Sequence, residues 1–319
     1  MAEISVERYR PEFREEWDAF VRTSRNGTFI LERGYMDYHA DRFEDFSLIV
    51  RTPNGHPAAL LPANRDGECL VSHAGLTYGG FVVGSAMRTG RMLETVAHTG
   101  RFLMESGIRD WVHKPVPYIY HREPADDELY SLFRYGATLI RRDVGACGCP
   151  ANLRFSDGAR RWARKAEKAG LVVEESGQFG EFWPALEGSL ESRHRRHPVH
   201  TLDEITSLQG RFPDKIRLFL ARRAGLVTAG LVIYETDKVA HVQYAAATEE
   251  GLRTGAQALL VARAISDCFR DKPWFDCGIS TESEGLVLNE GLQHFKEGFG
   301  LRAVVSDLYR VPLWEGRMP

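Results

Sequence analysis

GHPAALLPANRDGECLVSHAG runs from Gly55 to Gly75, and GLVTAGLVIYETDKVAHVQYA runs from Gly225 to Ala245. Laid over each other without a gap, 170 positions apart, they place Gly55 on Gly225, Ala59 on Ala229, Leu61 on Leu231 and Gly67 on Asp237. Each stretch reads as two strands joined by a turn. In the first, Pro53-Asn54-Gly55 leads in and Asn64-Arg65-Asp66-Gly67 separates the strands; both are hairpin signals, because Asn, Asp and Gly accept the positive φ that tight turns need. A second likeness lies further on. Phe133-Arg134-Tyr135-Gly136 and Phe295-Lys296-Glu297-Gly298, 162 positions apart, each close a helix and open a strand. Two local matches in the same order favour a tandem duplication over a chance likeness of two meanders.

Outward from these stretches the two halves run in one order. The first half predicts helices over 12–23 and 31–41 and strands over 46–51, 57–63 and 68–72. A Gly-rich loop at 74–80, a long amphipathic helix over 86–105, a strand at 111–114, a helix over 126–133 and a strand at 138–146 follow. The second half predicts helices over 157–169, 179–193 and 202–209 and strands over 216–222, 227–235 and 239–246. It ends with a helix over 253–269, a strand at 274–279, a helix over 286–295 and a strand over 301–311. The expected class is α+β: two domains, 1–150 and 151–319, each a mixed, mostly antiparallel sheet flanked by helices. No G-x-G-x-x-G follows a first strand and no G-x-x-x-x-G-K-[ST] occurs, so a doubly wound nucleotide fold is not expected.

The chain has 319 residues, enough for two domains of ordinary size. Forty-one Lys and Arg against 44 Asp and Glu give a net charge of −3, which speaks against a protein that merely coats nucleic acid. No apolar run approaches a bilayer span, and the charged start MAEISVERYR lacks the apolar core of a secretory signal. The five cysteines, Cys69, Cys147, Cys149, Cys268 and Cys277, are irregularly spaced, as reduced thiols of a cytoplasmic protein would be.

The chemistry-bearing patterns narrow the field. No G-x-S-x-G elbow marks a serine hydrolase. His194-x-x-His197-x-x-His200 is interrupted by Pro198, so no helical metal face is expected and no metal is assigned. Arg160, Arg161, Arg164, Lys165 and Lys168 fall on one helical face, opposed only by Glu167. Such a face suits phosphate contacts or is simply a solvated helix surface. Arg193, Arg195 and Arg196, with His194 and His197, form a second basic cluster.

The order of elements in each half resembles the acyl-CoA N-acyltransferase (GNAT, or Nat) fold. Two such units in tandem resemble the Fem family of peptidyltransferases. Four stretches carry the likeness: Thr28-Phe29-Ile30-Leu31 through Tyr35 to His39; His73 to Phe81; Leu190-Glu191-Ser192-Arg193-His194; and Phe295-Lys296-Glu297-Gly298-Phe299-Gly300. The resemblance implies an aminoacyltransferase that joins an amino acid from aminoacyl-tRNA to an amine. It implies Lys296 as the catalytic cation, acting on the oxyanion or on the leaving group's phosphate. His39, Arg42, Arg193 and His194 suit an anionic acceptor, Tyr78 and Gly79 suit close backbone approach, and His73, Tyr244 and Glu282, at strand ends or loops, complete the expected substrate contacts. His39 stands where Fem proteins usually carry Lys, and the long helical arm of cell-wall Fem enzymes is missing. The implied acceptor is therefore a natural-product or surface-polymer precursor.

The donor expectation turns on one loop. GNAT enzymes hold the CoA pyrophosphate on backbone N–H groups at a helix N-terminus. Thr248-Glu249-Glu250-Gly251-Leu252-Arg253-Thr254-Gly255-Ala256 does not fit the [QR]-x-x-G-x-[GA] pattern, and its glutamates would repel a pyrophosphate. That favours aminoacyl-tRNA as co-substrate, bound by Arg160, Arg161, Arg164, Lys165 and Lys168, with acyl-CoA as the alternative donor. A non-catalytic tRNA- or sugar-binding module is a further alternative. No cofactor is expected. For the acceptor's proton, His73, His241, Tyr244, Asp276 and Glu282 all stand at strand ends or loops, and none is singled out by spacing.

Overall fold

Ala224 and Gly225 both have positive φ, 48° and 82°. They make a two-residue turn joining strand Ile216–Arg223 to strand Leu226–Glu235, with Arg223 opposite Leu226. This is the geometry in which backbone twist matches the right-handed twist of the strands. Gly55, φ 83°, closes the corresponding turn between Leu48–Arg51 and Pro57–Leu61. The aligned glycines thus hold the same place in two hairpins.

The protein is described by a computed structural model covering residues 4–194 and 197–313, without the side chains of 192–194. It divides into two compact units, Met1–Asp143 with Val305–Pro319, and Val144–Val304.

In the first unit, Ser5–Arg8, Leu48–Arg51, Pro57–Leu61 and Val82–Val83 form an antiparallel sheet in that order. Cys69–Val71 pairs in parallel with Asp110–His113. Helix Thr89–Glu105 buries Met92, Val96, Thr99 and Leu103, the spacing of one helical face. It ends where Gly107 turns left-handed. Leu48, Val50, Leu61, Phe81, Val96 and Trp111 are fully buried in this unit's core.

The second unit opens with the end of strand Thr138–Gly148, and helix Asp157–Lys168 follows, capped by the Ser156 hydroxyl on the Ala159 N–H. Strand Leu171–Ser176 and helices Phe179–His194 and Leu202–Arg211 follow; the last opens with a Thr201/Glu204 capping box. Its strands lie in the order Leu171–Ser176, Ile216–Arg223, Leu226–Glu235, Val239–Ala247, Trp274–Ile279, all antiparallel except the last pair, which is parallel. Ala221, Ala229, Leu231, Ile233, Ala256 and Phe275 are buried in the core between this sheet and helix Ala256–Arg263.

Each unit thus carries helices, antiparallel strands, helix, parallel strand, helix and strand in the same order, and in the second unit helix Asp157–Lys168 and strand Leu171–Ser176 come before them. The mixed, mostly antiparallel α+β architecture is the expected one. Three details differ. The helix expected over 253–269 is two helices, Glu249–Thr254 and Ala256–Arg263, with a π turn at Ala264–Cys268. Gly255 breaks it at φ 87°, where any Cβ would stand 2.8 Å from the Trp162 carbonyl oxygen. The helix expected from 286 starts at Glu290, after a small hairpin of Thr281–Glu282 and Val287–Leu288. Finally, the end of strand Arg302–Arg310 counts with the first unit, because Tyr309 pairs with His113 and the Val311 N–H donates to the Trp111 carbonyl.

Candidate active site

In the second unit the parallel strands Val239–Ala247 and Trp274–Ile279 are paired at only three positions: Val239 with Trp274, Ala240 with Phe275, and His241 with Asp276. Beyond that register they part. On its other edge Trp274–Ile279 stays paired, from Phe275 with Gly148 to Ile279 with Gly145, while Tyr244 through Ala247 stay on Leu226–Glu235. Gly278, at φ 67°, redirects the departing strand. Lys296 holds it in its new course. Its Nζ donates to Gly278 O at 2.8 Å, Ile279 O at 2.7 Å and Ser280 Oγ at 2.9 Å. Lys296 is 4% exposed, and all three ammonium hydrogens are directed at protein oxygens. Burial lowers its pKa, with Cys277 and Asp276 acting in the opposite sense. The sequence-predicted catalytic lysine therefore sits beneath the splay, bonded to the strand end.

At the apex of the splay, His241 Nδ1 lies 2.7 Å from Asp276 Oδ2. Asp276 Oδ1 accepts the Gly278 N–H at 2.9 Å. Both side chains are largely buried, His241 at 12% and Asp276 at 7% exposure. The His241 ring packs beside Gly278, where a Cβ would stand 3.4 Å from Cε1. Along the Val239–Ala247 strand, Ala240 and Val242 face the core under helix Ala256–Arg263. His241 and Tyr244, opposite Tyr234 and Val232, share the other face. A bulge at Gln243 lets Tyr244 keep that face. The Gln243 amide oxygen is buried without a hydrogen-bond partner. Tyr244 Oη lies 2.6 Å from His200 Nδ1 and its ring meets Trp183 edge-on; burial pushes the phenol up to about 12. Tyr244 was expected from the sequence. The His241–Asp276 pair was not distinguishable there, because parallel pairing brings together residues 35 apart in the chain.

The first unit treats its parallel pair differently. Beyond Val71 and Val112, the 72–81 segment folds into the gap. Ser72 N donates to Val112 O at 2.9 Å, Lys114 N to Ser72 Oγ at 2.6 Å, and Gly79 N to Lys114 O at 3.0 Å. Lys114 Nζ donates to the Leu76 carbonyl. A Cβ on Gly79 would stand 2.4 Å from Ser72 O, so this glycine serves a close approach within the chain itself. Glu128 Oε1 lies 2.7 Å from His113 Nε2 and accepts the Phe81 N–H at 2.5 Å. Tyr78 is buried, with its Oη 2.9 Å from Thr28 Oγ1 and its ring against Tyr120. His39 and His73 are buried with ring centroids 4.9 Å apart, and Gly75 packs on His39. His73 Nδ1 has no hydrogen-bond partner, and burial first, then His39, pushes its pKa down to about 3. Of the substrate residues expected in this unit, the structure gathers His39 with His73 and buries Tyr78 and Gly79; only Arg42 is exposed.

The remaining expectations fall in the second unit. Arg193 and His194 end helix Phe179–His194, and their side chains lie outside the described residues. Glu282 is exposed on the small hairpin, where it accepts from Asn289 Nδ2 at 2.8 Å. Ala159, Ala163 and Ala166 turn helix Asp157–Lys168 to the core and leave Arg160, Arg161, Arg164, Lys165 and Lys168 exposed. Arg160 pairs with Asp157 at 2.5 Å, and Lys165 Nζ donates to Arg253 O at 2.7 Å above the Trp162 ring. Among the described residues, Arg161, Arg164 and Lys168 make no ion pair within 4 Å. In the 248–256 segment, Thr248 Oγ1 caps the Gly251 N–H, Glu250 pairs with Arg223 at 2.6 Å, and a Cβ on Gly251 would stand 2.1 Å from Thr228 O. Among the described residues no three metal-binding side chains gather, and no helix is long and apolar enough to cross a membrane. All five cysteines are free thiols.

Residues 154–297 match the model of the acetyltransferase (GNAT) domain family, so the splay lies inside the matched segment. No curated protein matches the chain in sequence. Among solved structures, the chain is similar to FemX, with a TM-score of 0.68 and 12% identity over 97% of each chain. It is similar to the C-terminal domain of a putative lysylphosphatidylglycerol synthetase from Agrobacterium fabrum, with a TM-score of 0.60 and 13% identity over 94% of this chain and 91% of that one. It is also similar to a tandem GNAT protein from the clavulanic acid biosynthesis pathway, with a TM-score of 0.52 and 10% identity over 99% of this chain and 100% of that one. The fold is the GNAT fold in tandem, in the form shared with FemX.

Proposed function

We propose that this tandem GNAT-fold chain is an aminoacyltransferase that joins an amino acid from aminoacyl-tRNA to a small-molecule amine, with chemistry in its second unit. The observation that carries the reading is the splay at His241 and Asp276. Strands that part leave a slot in which an ester carbonyl can lie beside backbone groups, and fixed dipoles in such a slot stabilise the developing oxyanion. Lys296 fits this scheme as a positioning residue: it sets the course of the strand at Gly278–Ser280 rather than reaching the substrate.

The choice of donor rests on two further observations. The 248–256 segment spends its polar groups internally and carries Glu249 and Glu250, which disfavour a pyrophosphate. Helix Asp157–Lys168 presents Arg161, Arg164 and Lys168 without ion pairs among the described residues, beside the half-exposed Trp162. Cations next to an aromatic face suit a polyanion with bases to stack. Arg193 and His194, at the end of helix Phe179–His194, are the residues of this unit proposed to recognise an anionic acceptor. Acyl-CoA is the second reading, favoured by the match of residues 154–297 to an acetyltransferase domain. The test is incubation of the protein and an amine with a tRNA pool charged with labelled amino acids and, separately, with labelled acyl-CoAs. Depletion of aminoacyl ester with formation of labelled amide supports the proposal. Turnover of acyl-CoA alone moves the assignment to the second reading.

A further inference from the structure

We infer that His241 is the general base of the reaction, held in the required tautomer by Asp276; this rests on the transferase reading above. Amide formation from an ester makes one C–N bond and breaks one C–O bond. The attacking amine must shed a proton, and the departing ribose oxygen must gain one. A single imidazole at the apex of the splay can do both in turn, so the proton balance closes without any further reactant.

The geometry assigns the two nitrogens. Nδ1 faces the Asp276 carboxylate at 2.7 Å and so carries the hydrogen. Nε2 is then the basic atom. Asp276 is itself fixed, because its other oxygen accepts the Gly278 N–H. The pair lies at the last paired position before the strands separate, where a substrate carbonyl in the slot would be nearest. His241 is partly accessible, which a base that receives a proton from an incoming amine needs to be. Among the described residues, the charged and titratable groups around the pair include Tyr234 on the adjoining strand, Tyr244 with His200 further along, and Cys147, Cys277 and Lys296 close to Asp276. No other His–carboxylate contact within hydrogen-bond distance occurs among the described residues of this unit. The comparable pair in the first unit, His113 and Glu128, is fully enclosed and bonded to the Phe81 backbone.

The experiment measures kcat/KM at neutral pH for wild type, His241→Gln and Asp276→Asn, using the charged-tRNA pool and the acyl-CoAs as donors. The acceptors are glycinamide and hydroxylamine, the latter already unprotonated at neutral pH. His241→Gln should lose about 10²–10⁴ in kcat/KM with glycinamide. Asp276→Asn keeps an oxygen for the Gly278 N–H but turns an amide N–H₂ toward Nδ1. That moves the imidazole hydrogen onto Nε2, and the rate should fall by up to about 10⁴. Hydroxylamine should recover much of the lost rate in both variants, which a merely structural role would not produce. Far-UV circular dichroism checks that both variants fold. A wild-type rate with glycinamide in His241→Gln would overturn the assignment and leave the transferase reading standing. Equal losses with both amines would do the same. Absence of transfer by folded wild type with every donor would overturn both.

Discussion

Replacing Lys296 with Met keeps the aliphatic stem and removes the ammonium. Gly278 O, Ile279 O and Ser280 Oγ then lose their donor; Ser280 is buried, Gly278 is half-buried and Ile279 is exposed. A buried acceptor left unpaired costs about 1–3 kcal/mol. The removal also abolishes the cost of burying the ammonium, which its lowered pKa records. Only Ser280 Oγ is left fully buried, so the net is about 2–4 kcal/mol. For a domain of this size each kcal/mol moves the melting temperature by roughly 2–4 °C, so a fall of about 10 °C is expected. The assay is urea unfolding followed by tryptophan fluorescence, with thermal melting by circular dichroism. Wild type carries a second signature. Between the lowered folded pKa of Lys296 and its ordinary value, the unfolded chain binds more protons, so stability should rise with pH through that window. Lys296→Met should lack that rise. Transfer activity should be scaled to the folded fraction before any loss is ascribed to chemistry. A variant within about 1 kcal/mol of wild type would refute the anchoring role and return Lys296 to direct contact with substrate.

Three other outcomes are expected. His73→Asn should flatten the acid dependence of stability: with a folded pKa near 3 and an unfolded value near 6.5, only the unfolded chain takes up a proton as pH falls through 6.5, and roughly 4 kcal/mol is lost by pH 3 in wild type. Asn tolerates the positive φ of position 73, and equal urea midpoints across pH 4–7 in wild type would contradict this. Gly251→Ala must separate helix Glu249–Thr254 from the Thr228 carbonyl, 2.1 Å from the new Cβ, and should lower stability by about 1–3 kcal/mol in a thermal melt. Reversing Arg161, Arg164 and Lys165 to Glu should weaken charged-tRNA use and flatten its logarithmic salt dependence by about 0.7–0.9 per lost phosphate contact, with acyl-CoA use unaffected; unchanged use of charged tRNA would leave the face a solvated surface.

Turn chemistry and periodicity made much of the fold legible. Gly55 and Gly225 marked two hairpins because few other residues accept a φ near +80°. Helix Thr89–Glu105 showed its buried stripe in the spacing of Met92, Val96, Thr99 and Leu103. The basic face of Asp157–Lys168 was readable for the same reason, since small alanines on one side imply the charged residues lie on the other. The break at Gly255 was not, because an isolated glycine inside a helical pattern breaks it only if something crowds it, here the Trp162 carbonyl.

The candidate site shows where sequence stopped. Tyr78 and Gly79 looked suited to a substrate loop, and that loop instead fills the first unit's strand gap through Ser72 and Lys114. Lys296 read as an available cation, and the structure surrounds it with three oxygens from residues 278–280. His241 and Asp276 were two polar residues on separate strands until a parallel register set them opposite each other. Local propensity acts within a turn or two of chain, so hairpins, helix faces and the repeated order of elements were settled by the sequence alone. Which strands lie side by side, where they part, and which buried donor meets which acceptor depend on contacts between distant segments, where the need to pair every buried polar group makes the choice.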